Sequence, residues 1–279
     1  MTVLAIFVAT TVVKAEDGSR LWLRFDKKKV DAETFSSVVG NANSTAVKEF
    51  RKAWAEMSGS ELSMARKHSK NSLVFALAGD AVVRQLGLQN ELKTLGNDGY
   101  IIRKVNVRGV NFTVVAANTA AGNMYGAFHL IRLLQTNTLS ATVNIVEKPT
   151  YDLRILNHWD NLDGTVERGY AGYSLWKWNE LPAKLSPRYE AYARANASIG
   201  INATVLNNVN ATPEILTPAY IEKIKALAAV FRPFNIKVFI SINFASPRQL
   251  GNLPDSDPLR PEVQKWWKDK VNEIYKQIP

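Results

Sequence analysis

The sequence predicts an α/β protein in two parts: an α+β sandwich over residues 16–150, then the first three βα units of an incomplete (β/α)8, TIM-type barrel over residues 151–279. Three observations lead to this reading. Before Thr150, apolar runs of period two alternate with helical periodicity around one strong hairpin signal. After Lys148-Pro149 the rhythm becomes strand, loop, helix, repeated three times. Each of those three strands ends in amide-rich sequence: Asn157-His158, Asn207-Asn208-Val209-Asn210 and Ser241-Ile242-Asn243. With 279 residues, 46% of them apolar, the chain can bury a large core, and two domains are expected.

The elements follow in order. Val3 to Val13 is an apolar stretch of signal-peptide length and Val13-Lys14-Ala15 ends in a small residue, so removal of residues 1–15 and export are expected. Two features count against it: no Lys or Arg precedes the run, and Val/Thr-rich runs also make strands. No apolar run approaches the ~20 residues of a membrane span, which argues against an integral membrane segment. Leu21 to Phe25 reads as a strand, Ser44 to Met57 as a helix opened by Ser44, and Leu73 to Leu77 as a strand. Tyr100 to Val107 and Phe112 to Ala117 form an antiparallel hairpin turned by Arg108-Gly109. The next helix places Met124, Phe128, Ile131 and Leu134 on one face, and Gly126 lets it approach a sheet closely. Two helices on an antiparallel sheet are the expected arrangement.

In the second part the strands are Leu153 to Asn157, Ala203 to Asn207 and Lys237 to Ile242, joined by right-handed parallel crossovers. Leu153, Ile155 and Leu156 give the first a buried character. Ser186-Pro187 and Thr217-Pro218 pair an N-cap hydroxyl with a first-turn proline, and Gly200 closes the intervening helix. Val263, Trp267, Val271, Ile274 and Ile278 mark the core face of the last helix. A closed barrel takes about 250 residues, far more than follow Thr150, so a longer natural chain is expected, the alternative being a smaller open α/β domain of another kind.

The net charge of +10 comes from scattered residues, with Lys27 to Lys29 the one tight run. That pattern is a solvated face, and no nucleic-acid partner is expected. A positive field favours an acidic substrate. The chain has no cysteine, which excludes disulfides, Cys-ligated zinc and thiol nucleophiles and leaves the compartment open.

The stretch Tyr151 to Gly172 carries the site expectation. Trp159 offers a flat apolar face for a pyranose, and His158, Asp160 and neighbouring asparagines offer hydroxyl partners at a strand's carboxyl end, where barrels build sites. Asp160, Asp163 and Glu167 on one loop, with Arg154 and Arg168 nearby, read as a supporting scaffold rather than an acid and base pair, with Asp160 the best of the three for a substrate contact. His158 reads as a hydrogen-bonding group in the site floor, and His68 and His129 as structural. Tyr173, Trp176 and Trp178 either extend a sugar subsite or pack the barrel mouth. Gly122 and Gly126 lack the GxGxxG spacing of a dinucleotide fingerprint and fit helix packing.

LRILNHWDNLDGTVERGYAG (153–172), SLWKWNELP (174–182), NNVNATPEILTPAYIEKIKALA (207–228) and AAGNMYGAFHLIRLLQ (120–135) together resemble the amino-terminal part of glycoside hydrolase family 67 alpha-glucuronidases. The resemblance covers nearly the whole chain, the 153–172 motif being the most specific. It implies an enzyme that removes 4-O-methyl-glucuronic acid from xylooligosaccharides with inversion, in glucuronoxylan breakdown, without metal or cofactor. It further implies substrate contacts at Trp159, Asn208 and Val209, an acidic xylooligosaccharide as partner, and room for a homodimer of the full-length enzyme. The family's general acid follows barrel strand 4, and its other carboxylates and uronate-binding basic residues come later still. No catalytic residue is therefore expected among these residues, and this chain alone is expected to be inactive. A noncatalytic carbohydrate-binding protein is the alternative reading.

Overall fold

The computed structural model describes residues 18–278 apart from residues 26, 28, 29 and 32, so the expected export segment lies outside the described residues. The first sheet has six strands in the order β2-β1-β3-β5-β4-β6: β1 (Ser37–Val39), β2 (Met64–Ala65), β3 (Ser72–Leu77), β4 (Tyr100–Val107), β5 (Val110–Ala117) and β6 (Asn144–Glu147). β4 and β5 form the expected hairpin, in register from Tyr100↔Ala117 to Val107↔Val110. Arg108 (φ 51°) and Gly109 (φ 84°) both take the left-handed conformation that suits a two-residue turn to the strands' twist.

The expected antiparallel sandwich is corrected. β1 pairs in parallel with β2 and with β3, β3 pairs in parallel with β5, and helices cover both faces of this mixed sheet. On one face α1 (Thr45–Ser58) and α4 (Ala120–Gln135) bury Phe50, Trp54, Met124 and Phe128 against Leu73, Phe75, Ile102 and Val115. On the other, α2 (Ala81–Gln85) and α3 (Gln89–Lys93) bury Val83 and Leu92 against Val74, Ala76, Ile101 and Val114. A hairpin is a local signal, whereas parallel pairing joins distant segments; its sequence trace is the doubly buried apolar run of β3.

Local chemistry sets the helix ends and approaches. Ser44 caps α1 by accepting from the Val47 N–H. A Cβ built at Gly126 would lie 2.6 Å from Val115 Cγ1, so the absent side chain is what lets α4 sit on the sheet. The expected strand at Leu21 to Phe25 is instead a 3-10 turn over Leu21–Leu23, which turns Trp22 to donate to Ser198 Oγ at 2.7 Å.

The second sheet is parallel, in the order β7 (Ile155–Asn157), β8 (Ala203–Val205), β9 (Lys237–Phe239). These strands are shorter than expected because amide side chains take over from the ladder. Asn207 Nδ2 donates to Ser241 O at 3.0 Å and Asn207 Oδ1 accepts from the Ser241 N–H at 2.9 Å. The helices are α5 (Pro187–Ser198), α6 (Pro218–Phe231), α7 (Ser246–Gly251) and α8 (Pro261–Gln277). Ser186 caps α5, but the Thr217 hydroxyl donates to Glu214 O instead of capping α6.

Two burial expectations are corrected. Leu153, Ile155 and Leu156 are about two-fifths exposed, because β7 is an edge. Of the five apolar residues on the α8 face only Val263 is buried; the other four line, with β9 and α6, an apolar groove of about 680 Å³.

The amino ends of β7, β8 and β9 are fastened to the first sheet's side of the molecule. Arg154, just before β7, forms an ion pair with Asp98 at 2.7 Å and donates to the carbonyls of Gly200 and Tyr151. Asn202, just before β8, donates to Asp98 Oδ2 at 3.0 Å. Asn235, two residues before β9, donates to the Tyr125 hydroxyl at 3.1 Å. A second buried ion pair, Arg194 to Glu49 at 2.7 Å, ties α5 to α1.

Candidate functional site at the carboxyl end of the parallel sheet

The 29 residues between β7 and α5 fold back on themselves rather than wandering. Asp160 bridges Val166 and Thr165 bridges Tyr173, both antiparallel, so three short segments lie side by side. The Glu167 N–H donates to Trp159 O at 2.9 Å and the Asn161 N–H to Thr165 O at 2.8 Å, closing the first pairing. Glu167 sits at φ 60°, a conformation uncommon outside glycine and asparagine. Its carbonyl accepts from Asn161 Nδ2 at 2.8 Å and Asn208 Nδ2 at 3.3 Å, which binds this loop to the one after β8.

Asp160 anchors the centre. Its carboxylate is 5% exposed; Oδ2 accepts from Ser174 Oγ at 2.6 Å and the Leu175 N–H at 3.1 Å, and Oδ1 faces His158 Nδ1 at 3.4 Å. Burial pushes its pKa up, but the hydrogen bonds from His158, Ser174 and the Leu175 N–H outweigh that and hold it below the ordinary aspartate value. His158 Nε2 pairs with the Tyr192 hydroxyl at 2.8 Å, which pairs in turn with Thr204 Oγ1 at 2.8 Å. Burial pushes the Tyr192 phenol up to about 12, so it stays protonated near neutrality. A polar chain thus runs from Ser174 through Asp160, His158 and Tyr192 to Thr204, beneath the site.

The sequence-predicted residues divide into two groups. Trp159 is 40% exposed and Val209 50%, each following one of two adjacent strands. His158, Asp160 and Asn208 face inward. Asn208 is 4% exposed, donates to Asn161 Oδ1 at 3.1 Å and accepts from the Asn210 N–H at 2.9 Å. The Asp160 oxygens already hold the loop through Ser174, Leu175 and His158. Asp163 Oδ1 is likewise engaged, by the N–H and hydroxyl of Thr165. Trp176 and Trp178 are buried, so they pack the core, while Tyr173 is 91% exposed. Arg154 pairs with Asp98 rather than with the loop carboxylates. His129 bonds the Tyr100 hydroxyl at 2.8 Å and His68 stacks on Phe112. Sequence reasoning missed Ser174, Tyr192 and Thr204, which reach the site from other elements and leave no local pattern.

Among the described residues no group of three His, Cys, Asp or Glu is placed to hold a metal ion, and no helix is long and apolar enough to cross a membrane. Two family models account for nearly the whole chain: the glycosyl hydrolase family 67 N-terminus matches residues 21–130 and the family's middle domain residues 133–279. The chain belongs to glycosyl hydrolase family 67. The two models meet inside α4, whereas β6 pairs with β4, so the first sheet of this family 67 chain continues to Glu147.

Curated relatives of the family 67 chain include a "Probable alpha-glucuronidase A" of Aspergillus terreus, 33% identical over 99% of this chain and 34% of that protein. An "Alpha-glucuronidase" of Hypocrea jecorina is 32% identical over 99% of this chain and 35% of that protein. The chain thus spans about a third of the length of these relatives. Among solved structures, a GH138 enzyme targeting pectin rhamnogalacturonan II aligns at TM-score 0.58 and 15% identity, covering 87% of this chain and 29% of that one. A GH115 4-O-methyl-alpha-glucuronidase aligns at TM-score 0.55 and 15% identity, over 87% of this chain and 34% of that one. At such identity these likenesses speak for the fold alone.

Proposed function

We propose that these residues form the opening part of an alpha-glucuronidase that removes 4-O-methyl-glucuronic acid from xylooligosaccharides with inversion, in glucuronoxylan breakdown outside the cell. Residues 16–150 act as the accessory domain, and residues 151–279 supply three of eight barrel units and one wall of the sugar pocket. The observation that carries this reading is Trp159, an indole left two-fifths exposed on a loop whose Asp160 and Asn208 side chains are already satisfied. An exposed aromatic face on a rigid mount suits the apolar face of a pyranose. Family membership and the relatives named alpha-glucuronidase support the choice of sugar. Trp159 and Val209 then touch the sugar, while His158, Asp160 and Asn208 hold the wall in place.

Catalysis needs residues from elsewhere. An inverting glycosidase requires an acid and a base about 6.5–9.5 Å apart, and Asp160 and Asp163 are committed to internal hydrogen bonds. That commitment favours, for the 279 residues taken alone, the second reading of a noncatalytic carbohydrate-binding unit. The test is to express the product of the complete reading frame and supply xylooligosaccharides bearing α-1,2-linked 4-O-methyl-glucuronic acid. Release of the β-anomer of the free acid, followed by proton NMR, is expected. Absence of release rejects the enzyme reading, and initial release of the α-anomer rejects inversion. Amino-terminal sequencing of secreted protein checks export: a chain still beginning at Met1 refutes removal of residues 1–15.

A further inference from the structure

Side-chain alternation gives the folded-back loop two faces. Asp160 and Val166 are paired, so their side chains share a face, and Asp160 makes it the inner one. Their neighbours Trp159, Thr165 and Glu167 therefore lie on the other face, while the Asn161 amide is taken up by Thr165 Oγ1 at 2.9 Å, the Glu167 carbonyl and Asn208. Thr165 is paired in turn with Tyr173, which places the Tyr173 ring on the same outward face as Trp159. Two strand spacings and an offset of two residues separate them, about 12 Å, and the side chains of Thr165 and Glu167 lie between. The mount is rigid: Val166 N–H donates to Gly172 O at 3.1 Å and Ser174 N–H to Gly164 O at 2.8 Å. Tyr170 is 75% exposed and donates to Glu167 Oε1 at 3.3 Å, adding a second phenol beside the strip.

We propose that this outward face is a binding strip for a neutral pyranose chain, with Trp159 at the acidic-sugar end and Tyr173 stacking on a sugar further along the chain. The inference rests on the proposed glucuronidase reading and extends it from the acidic sugar to the neutral oligosaccharide that bears it. An aromatic ring at each end with a hydroxyl and a carboxylate between matches a sugar chain, whose rings present apolar faces and whose edges carry hydroxyls. Tyr173, 91% exposed, contributes almost nothing to the core, so its position on a tightly bonded loop points to a role at the surface.

The test compares Tyr173→Ala with wild type in the product of the complete reading frame, using the acidic sugar on a single xylose and on xylotetraose. Tyr151→Ala is the control, an exposed tyrosine at the opposite end of β7. With Tyr173→Ala, KM for the long substrate is expected to rise about 2- to 12-fold, the worth of one aromatic contact. kcat and the KM for the short substrate stay unchanged, and Tyr173→Phe restores most of the loss. Unchanged KM for both substrates overturns the strip, as does an equal rise for both. Failure of Tyr173→Ala to fold while Tyr151→Ala folds also overturns it, because the ring would then be a packing residue in the longer protein. If wild type hydrolyses neither substrate, the enzyme reading fails separately. Affinity electrophoresis in neutral xylan then decides the strip: retardation of wild type but not Tyr173→Ala supports it, and equal mobility overturns it.

Discussion

Asp160 and Trp159 are neighbours with opposite tasks. Trp159→Ala removes a ring that is two-fifths exposed, so it should cost about 1–2 kcal/mol of stability, less than a core Trp→Ala, while kcat/KM on aldouronic substrates falls by about tenfold or more. Steady-state kinetics beside a melting curve checks both, and unchanged kinetics would remove Trp159 from the pocket. Asp160→Asn should cost about 1.5–3 kcal/mol at pH 7 through weakened charge-assisted hydrogen bonds. The sign with pH follows from the depressed folded-state pKa. The contribution is complete above the unfolded aspartate value of about 3.9 and is lost as pH falls through the folded value. Urea denaturation should therefore show a large gap between variant and wild type at pH 7 that closes below about pH 4. A gap independent of pH would mean that shape, not charge, holds the loop.

At the level of elements, α4 shows what the sequence made legible and what it hid. Its apolar face and the need for a small residue at Gly126 could be read from spacing, because both are local properties of one helix. Gly122 is under tighter constraint: a Cβ there would meet the backbone carbonyl of Gly99 at 2.5 Å, whereas at Gly126 it meets the movable Val115 methyl. Gly122→Ala should thus destabilise more than Gly126→Ala, each by about 1–3 kcal/mol despite the helix-propensity gain of alanine. Thermal melts give the ranking, and a stabilised Gly122→Ala would contradict the close approach. The hairpin, the Ser44 and Ser186 caps and the three parallel strands were equally legible, being short-range patterns. The mixed sheet was not, since nothing in β1 or β3 names its partner. In the site, Trp159 was legible beside its strand, but the Asp160 to Ser174 and His158 to Tyr192 contacts span 14 and 34 residues and carry no periodicity.

Across the whole molecule, one continuous apolar core joins α1 and α4 to α5 and α6, and a few polar contacts add to it. Arg154→Met removes the ionic partner of Asp98 and leaves the Asn202 amide alone on a largely buried carboxylate, which should cost about 1–3 kcal/mol. Calorimetry should show the single transition lowered or split in two as the halves melt separately. Asp98→Asn in the same background should recover part of the loss, and failure to do so would locate the damage in the lost Arg154 carbonyl contacts instead.

Arg154, Asn202 and Asn235 all precede their strands, whereas Trp159 and Val209 follow theirs. The contacts to the first sheet's side therefore lie at the amino ends of all three strands, and the residues proposed to touch the sugar lie beyond the carboxyl ends of two of them. Exposed side chains beyond the carboxyl ends, Trp159 and Val209 among them, can be exchanged without disturbing the contacts at the amino ends, whereas inward-facing Asp160 beside them cannot be exchanged without loosening the loop.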